Sequence, residues 1–155
     1  MHELNIVLVE PEIPQNTGNI ARTCACTGAT LHLIEPMGFR LSEKQMKRAG
    51  LDYWDDVKIL RYPSVSDFLH NKDRNNLYFF TGQAKQNYND ALYGKKVYLL
   101  FGRESAGIDP NILTAYKDRC LRIPMRPGLR SLNLSNAAAL ASYEVLRSWE
   151  YPGLL

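Results

Sequence analysis

Three polar stretches of this chain set amide, hydroxyl and guanidinium side chains beside glycines, a combination suited to holding an anion or a cofactor. The first is Asn16-Thr17-Gly18-Asn19-Ile20-Ala21-Arg22, which follows an apolar run at the expected start of a helix. Free backbone N–H groups at such a start favour phosphate and similar anions. Asn19 and Arg22 stand three residues apart and share a helix face, whereas Ile20, Cys24 and Thr27 mark a face turned to a sheet. A purely structural alternative fits these residues at least as well: Asn16 caps the helix, Gly18 relieves a clash and Arg22 is solvated. The stretch is neither a P-loop, since no Gly-Lys-Ser/Thr follows, nor a G-x-G-x-x-G fingerprint.

The second stretch, Gly102-Arg103-Glu104-Ser105-Ala106-Gly107, comes directly after the apolar residues 97–101. Gly102 allows close approach to the backbone, expected here to be that of a ligand. Glu104 and Ser105 offer polar contacts, and Arg103 a bidentate donor. A tight turn with solvated charges is the alternative, but two glycines among small and polar residues favour a binding loop. The third stretch, residues 124–131, is rich in proline and glycine and cannot be regular. It carries Arg126 and Arg130 and runs into Ser131, Asn133, Ser135 and Asn136, more polar residues than capping one helix needs. The small residues 137–142 that follow suit close backbone packing and helix propensity equally.

The intervening elements must position these stretches. Apolar runs predict strands over residues 4–9, 31–34, 57–60, 77–81, 97–101 and 120–123. Helices are expected over 17–27, 42–48 (capped by Ser42), 64–69, 110–116 and 132–149, with Gly28 ending the first and Pro110 in the first turn of the fourth. Strand and helix alternate, which predicts an α/β fold: a mainly parallel sheet flanked by helices on both faces, in a single domain over residues 1–155. In such sheets ligands bind outside the strand C-termini, where the second and third stretches fall.

The totals narrow the function class. The chain has 155 residues, 45% of them hydrophobic, enough to bury a core. With 19 basic against 16 acidic residues, its net charge of +3 permits a nucleic-acid partner without requiring one. Cys24, Cys26 and Cys120 are odd in number and lack zinc-finger spacing, so neither a disulfide framework nor a metal site is expected, and all three are expected to be buried. The sequence shows neither an export signal nor a membrane-length apolar run, and a cytoplasmic protein is expected. His2, His32 and His70 are not placed for a Ser-His-Asp triad.

Together these blocks resemble the SPOUT superfamily of RNA methyltransferases, in the right order: Asn-x-Gly-Asn-Ile-x-Arg over residues 16–22, Phe-Gly-x-Glu-x-x-Gly over 101–107, then Ile-Pro-Met at 123–125 and Ser-x-Asn-Leu-Ser-Asn at 131–136. The compact length resembles the YibK/TrmL-like branch. So do Glu10-Pro11-Glu12-Ile13-Pro14, Glu35-Pro36-Met37-Gly38-Phe39 and Arg48-Ala49-Gly50-Leu51-Asp52-Tyr53. The resemblance covers nearly the whole chain. It implies an α/β knot, with the C-terminal segment threaded through a deep trefoil, which nothing in the sequence pattern suggests. It also implies S-adenosylmethionine (SAM) as cofactor, a homodimer that joins site residues from both subunits, and methylation of the ribose 2′-hydroxyl of nucleotide 34 (cytidine or a uridine derivative) in leucine tRNAs, bound through the anticodon stem-loop. Another tRNA position, ribosomal RNA, or a non-enzymatic RNA-binding factor on the same fold are the alternatives.

Carried onto this chain, the resemblance assigns Phe80, Gly102, Ile123, Ser131, Leu121 and Leu132 to SAM, with Thr81 nearby. It assigns Arg22, Asn133 and Glu104 to the transfer, with Ser131 and Asn136 close by, and Arg130, Arg126 and Tyr143 to RNA. No metal is implied. Arg103 stands where some relatives carry proline. A guanidinium stays protonated, so Arg22 is expected to act by electrostatics on the developing alkoxide or on an adjacent phosphate. Lys44, Lys47 and Arg48 are further candidates for phosphate contact, although a solvated basic face explains Lys44 and Lys47 equally well.

Overall fold

The computed structural model describes residues 1–40, 42, 44 and 54–155. The helix expected over 42–48, the 48–53 block, Lys47 and Arg48 lie outside the described residues, in whole or in part; Lys44 is exposed. Seven parallel strands form one sheet in the order β3-β2-β1-β6-β4-β7-β5. They are β1 Glu3–Val9, β2 Thr30–Ile34, β3 Ile59–Tyr62, β4 Leu77–Phe80, β5 Gln86–Asn87, β6 Lys96–Phe101 and β7 Cys120–Arg122. The helices named here are α1 Pro14–Thr27, α2 Val65–Leu69, α3 Pro110–Ala115 and α4 Leu134–Ser148. The expected α/β class and mainly parallel sheet are therefore observed. None of the helices among the described residues is long and apolar enough to cross a membrane.

Central strands are apolar on both faces because both faces are covered. On one, Ile6, Leu8, Leu31, Leu33, Val97 and Leu99 meet Ile20, Ala21 and Cys24 of α1 and Ala138, Ala141 and Val145 of α4. On the other, Val7, Val9, Ile34, Phe79 and Leu100 meet Phe68 of α2 and Ile112 and Leu113 of α3. The small residues of α4 serve this packing: Ala138 and Ala141 are fully buried against the first face.

Several boundaries differ from expectation for local reasons. Helix α1 starts at Pro14, whose missing N–H costs nothing at the first helical position. Asn16 therefore lies within the first turn rather than capping it. The helix ends as expected: Gly28 has φ +76° and its N–H donates to the Cys24 carbonyl at 2.9 Å. β3 starts at Ile59, because Val57 closes a turn back onto the Trp54 carbonyl. β5 was not expected; two polar residues carry no periodic signal, and it pairs with β7 at the sheet edge. Cys24 and Cys120 are buried, but Cys26 is exposed, correcting the expectation that all three are core residues. Burial pushes the Cys24 thiol up to about 12.

Candidate functional site

Beyond the C-terminal ends of β4, β6 and β7 lies a cavity of about 610 Å³. Its walls are Phe80 at the end of β4 with Thr81, Phe101 at the end of β6 with Gly102 to Glu104, Ile123 and Met125 after β7, and Arg130 to Leu134 at the start of α4. Strand ends in a parallel sheet release their backbone groups at one edge, which is why the two irregular loops meet there. The size suits a cofactor-sized molecule, since such pockets run roughly 300–1,000 Å³. Phe80 stacks on Phe101 with ring centroids 4.8 Å apart, giving the floor an aromatic surface.

Gly102 has a more specific reason than ligand access. A Cβ built there would lie 2.1 Å from the Gly107 carbonyl carbon and 2.2 Å from the Ile108 nitrogen. The 102–107 loop folds back on its own backbone, and only glycine fits. The Arg103 N–H donates to the Gly107 carbonyl at 3.2 Å, and the Gly107 N–H returns a bond to Arg103 at 2.8 Å. Gly107 itself has φ +69°.

Glu104 reaches out of this loop to the start of α1. Its carboxylate accepts from the Glu12 N–H at 2.8 Å, the Ile13 N–H at 3.2 Å and Asn16 Nδ2 at 3.4 Å. A carboxylate at a helix N-terminus also meets the positive end of the helix dipole. Asn16, only 5% exposed, passes the connection on: its Oδ1 accepts from Asn133 Nδ2 at 3.0 Å. Asn133 in turn caps α4, its Oδ1 accepting from the Ser135 N–H at 2.9 Å. One relay thus joins the second stretch to the first and the first to the third.

Among the expected cofactor residues, Phe80, Gly102, Ile123, Ser131 and Leu132 line the cavity. Leu121 does not. Its side chain is buried in the core, and its carbonyl accepts from the Thr81 N–H at 3.0 Å, which fixes the cavity wall from behind. Glu104, Asn133 and Arg130 line the cavity, whereas Arg126, Asn136 and Tyr143 are exposed outside it. Arg22 is exposed on α1 and is not part of the lining. It stands six residues beyond Asn16, about 9 Å along the helix axis. Ile13, Asn16 and Gln83 also line the cavity and were not assigned to it from the sequence. Ile13 and Asn16 are brought there by bonds to Glu104, about 90 positions away, and Gln83 by a turn whose N–H donates to Thr81 Oγ1 at 3.3 Å.

A parallel α/β sheet with two loops lining one cavity beyond its strand C-termini defines a class of ligand-binding α/β folds. Within that class, the family model described as SpoU rRNA Methylase matches residues 3–143, and this chain belongs to that family of RNA methyltransferases. It is 45% identical over 151 residues to the tRNA (cytidine(34)-2'-O)-methyltransferase of Escherichia coli strain K12, covering 97% of this chain and 96% of the relative. A solved chain described with the 2-OH methylation of C/U34 on tRNA has a TM-score of 0.89 and 43% identity, over 96% of this chain and 97% of its own length. An AdoMet-bound rRNA methyltransferase from Sinorhizobium meliloti has a TM-score of 0.81 and 25% identity, covering 95% of this chain and 58% of that one.

Proposed function

We propose that this protein transfers the methyl group of SAM to the ribose O2′ of nucleotide 34 in tRNA, cytidine or a uridine derivative, with leucine tRNAs as substrates. The end-to-end similarity to the E. coli nucleotide-34 enzyme carries this reading. The residues present fit the cofactor: an aromatic and aliphatic wall of Phe80, Phe101, Ile123 and Leu132 suits its apolar parts, and loop backbone at 102–107 and 124–133 offers polar contacts. SAM supplies an activated methyl group. Gly102, Ile123, Ser131 and Leu132 bind it, with Leu121 supporting them.

The protein's task is to align the hydroxyl with that methyl group and to stabilise charge as the hydroxyl loses its proton. Arg22 does the second, as a fixed cation facing the developing alkoxide or holding a phosphate. Glu104 and Asn133 serve by position, because their oxygens already accept hydrogen bonds from the starts of α1 and α4. Arg130, at the cavity rim, and Arg126 and Tyr143, beside it in sequence and on α4, take the anticodon stem-loop.

In this reading the protein acts as a homodimer. Leu140, 45% exposed on α4, supplies apolar surface for the subunit contact. The whole of 1–155 works as one methyltransferase domain in the cytoplasm, its C-terminal segment threaded as a trefoil knot.

Calorimetric titration with SAM, followed by mapping 2′-O-methyl groups in transcript leucine tRNA, tests the proposal. SAM binding and a methyl group at nucleotide 34 are expected. Absence of SAM binding sinks the enzyme reading, and methylation elsewhere moves the substrate to another position. Arg22→Lys keeps charge but loses the guanidinium fork. Turnover is expected to fall about 100-fold; near-normal turnover rules out a geometric role for the fork.

A further inference from the structure

Within the block Glu10-Pro11-Glu12-Ile13-Pro14, the Glu12 side chain has no part in the functions assigned so far, yet it is bonded to the 102–107 loop of the cavity. Glu12 Oε1 accepts from the Ser105 N–H at 2.9 Å and from Ser105 Oγ at 2.7 Å. The exchange is reciprocal, because Glu104 accepts from the Glu12 and Ile13 N–H groups. Two carboxylates, each from one segment, each hold the other segment. Both spans exceed 90 residues in sequence, so neither contact arises from local turn geometry.

The segment that carries Glu12 is itself anchored on its far side. The Glu10 N–H donates to the Ile34 carbonyl at 2.9 Å, and the Gly38 N–H to the Pro11 carbonyl at 3.0 Å. A Cβ at Gly38 would sit 3.0 Å from Glu12 Cα and 3.1 Å from the Glu12 carbonyl oxygen. Glu35-Pro36-Met37-Gly38, the second unexplained block, therefore seats the first. Glu10 has φ +54°, a left-handed backbone that turns the segment away from β1.

We infer that Glu12 is a positioning residue for methyl transfer: by clasping Ser105 it fixes the cofactor loop against the start of α1, the helix that carries Arg22. The inference rests on the SAM reading above. A loop that binds the methyl donor and a helix that bears the charge-stabilising arginine must keep a fixed spacing, and the paired carboxylates set it from two sides. Hydrogen bonds to an ionised acceptor are the stronger kind, which suits a clasp at an exposed position. The Ser105 bonds also hold the Glu12 carboxyl below its ordinary range, as expected for a group that accepts both.

The test compares wild type with Glu12→Ala, Glu12→Gln, Ser105→Ala and the Glu12→Ala/Ser105→Ala double variant. SAM affinity is measured by calorimetry and turnover on an anticodon stem-loop RNA under steady state. Glu12→Ala is expected to raise the KM for SAM and lower kcat, each by roughly tenfold, while leaving RNA affinity unchanged. Glu12→Gln retains a neutral acceptor and is expected to recover part of both. Ser105→Ala loses only the hydroxyl donor and should lose less than Glu12→Ala. The double variant should match Glu12→Ala, because the two residues act through one contact. Hydrogen exchange at the Ser105 amide should accelerate in Glu12→Ala. A folded Glu12→Ala protein with wild-type KM and kcat overturns the inference, as does a double variant whose losses simply add. Wild-type protein that binds no SAM overturns instead the reading on which it rests.

Discussion

Two polar networks start from the first strand and its continuation, and they differ in what surrounds them. Within β1, Asn5 donates through Nδ2 to the Val97 carbonyl at 3.2 Å and accepts through Oδ1 from His32 Nε2 at 2.9 Å. The Nδ1 of His32 lies 3.0 Å from the Tyr62 hydroxyl. Asn5 and His32 are both under 10% exposed and sit among Phe68 and Tyr98. Just beyond β1, Glu12, Asn16, Glu104, Ser105 and Asn133 form the other network, partly exposed, with Asn16, Glu104 and Asn133 lining the cavity. The first network closes on itself between strands and leaves no group for a ligand. The second joins three loops, so its geometry is set by tertiary contacts and in turn shapes the site. A buried closed network supports stability; an open one at strand ends controls position.

Gly102→Ala is the substitution with the largest expected effect, because it strikes the open region through backbone sterics alone. The added Cβ cannot coexist with Gly107 and Ile108 at 2.1–2.2 Å, so the loop must unfold its turn. Overpacking alone costs roughly 1–3 kcal/mol, and SAM affinity should fall about 100-fold. Calorimetric titration reads the affinity, and a urea melt shows whether the core is retained. Retained affinity means the loop tolerates rearrangement and does not form the binding wall.

The sequence exposed far more of the scaffold than of either network. The strands at residues 4–9, 31–34, 77–81, 97–101 and 120–123 announce themselves by continuous apolar runs, and Gly28 and Pro110 mark helix ends by backbone preference. The cavity's place followed from the sheet class, and Phe80, Gly102, Ile123, Ser131 and Leu132 all line it. What could not be read was pairing at long range. His32 shows no role in the sequence because a histidine in a strand carries no sign of an asparagine 27 residues earlier. Glu12 and Ser105 are each ordinary alone. The Gly102 position does require close approach to the backbone, but what approaches is the backbone of its own loop rather than the expected ligand.

The closed network predicts an acid-sensitive stability that is independent of the site. His32 donates from Nε2 to Asn5 and accepts at Nδ1 from the Tyr62 hydroxyl, so the neutral ring satisfies both partners. Burial, with Lys72, Lys58 and Lys96 nearby, lowers its pKa to about 4. The unfolded chain therefore binds this proton near pH 6.5 and the folded chain only near pH 4. Stability from this residue is complete above pH 6.5, declines as pH falls towards 4 and is flat below. With an ordinary histidine near 6.5 and a folded value of about 4, the loss is on the order of 3 kcal/mol. Urea melts from pH 7.5 to 4 should show it. His32→Leu should destabilise the protein at pH 7 by roughly 1–3 kcal/mol, remove that slope and leave SAM affinity within twofold. A large change in SAM affinity would show that the two regions are coupled after all.

Asn133→Ala carries the smallest expected effect and bears on the same contrast from the open side. Loss of the α4 cap costs about 1 kcal/mol, since water can reach the half-buried Ser135 N–H once the exposed Asn133 side chain is gone. Asn16, nearly buried, loses the donor to its Oδ1 but keeps its own bond to Glu104. The start of α4 and the 130–133 wall should therefore loosen without unfolding. The variant should show a urea midpoint close to wild type, with SAM affinity reduced severalfold, the reverse of the pattern expected for His32→Leu. If Asn133→Ala instead cost 3 kcal/mol or more with unchanged affinity, the relay through Asn16 would be a stability element like the buried one, and the distinction between networks would rest on exposure alone.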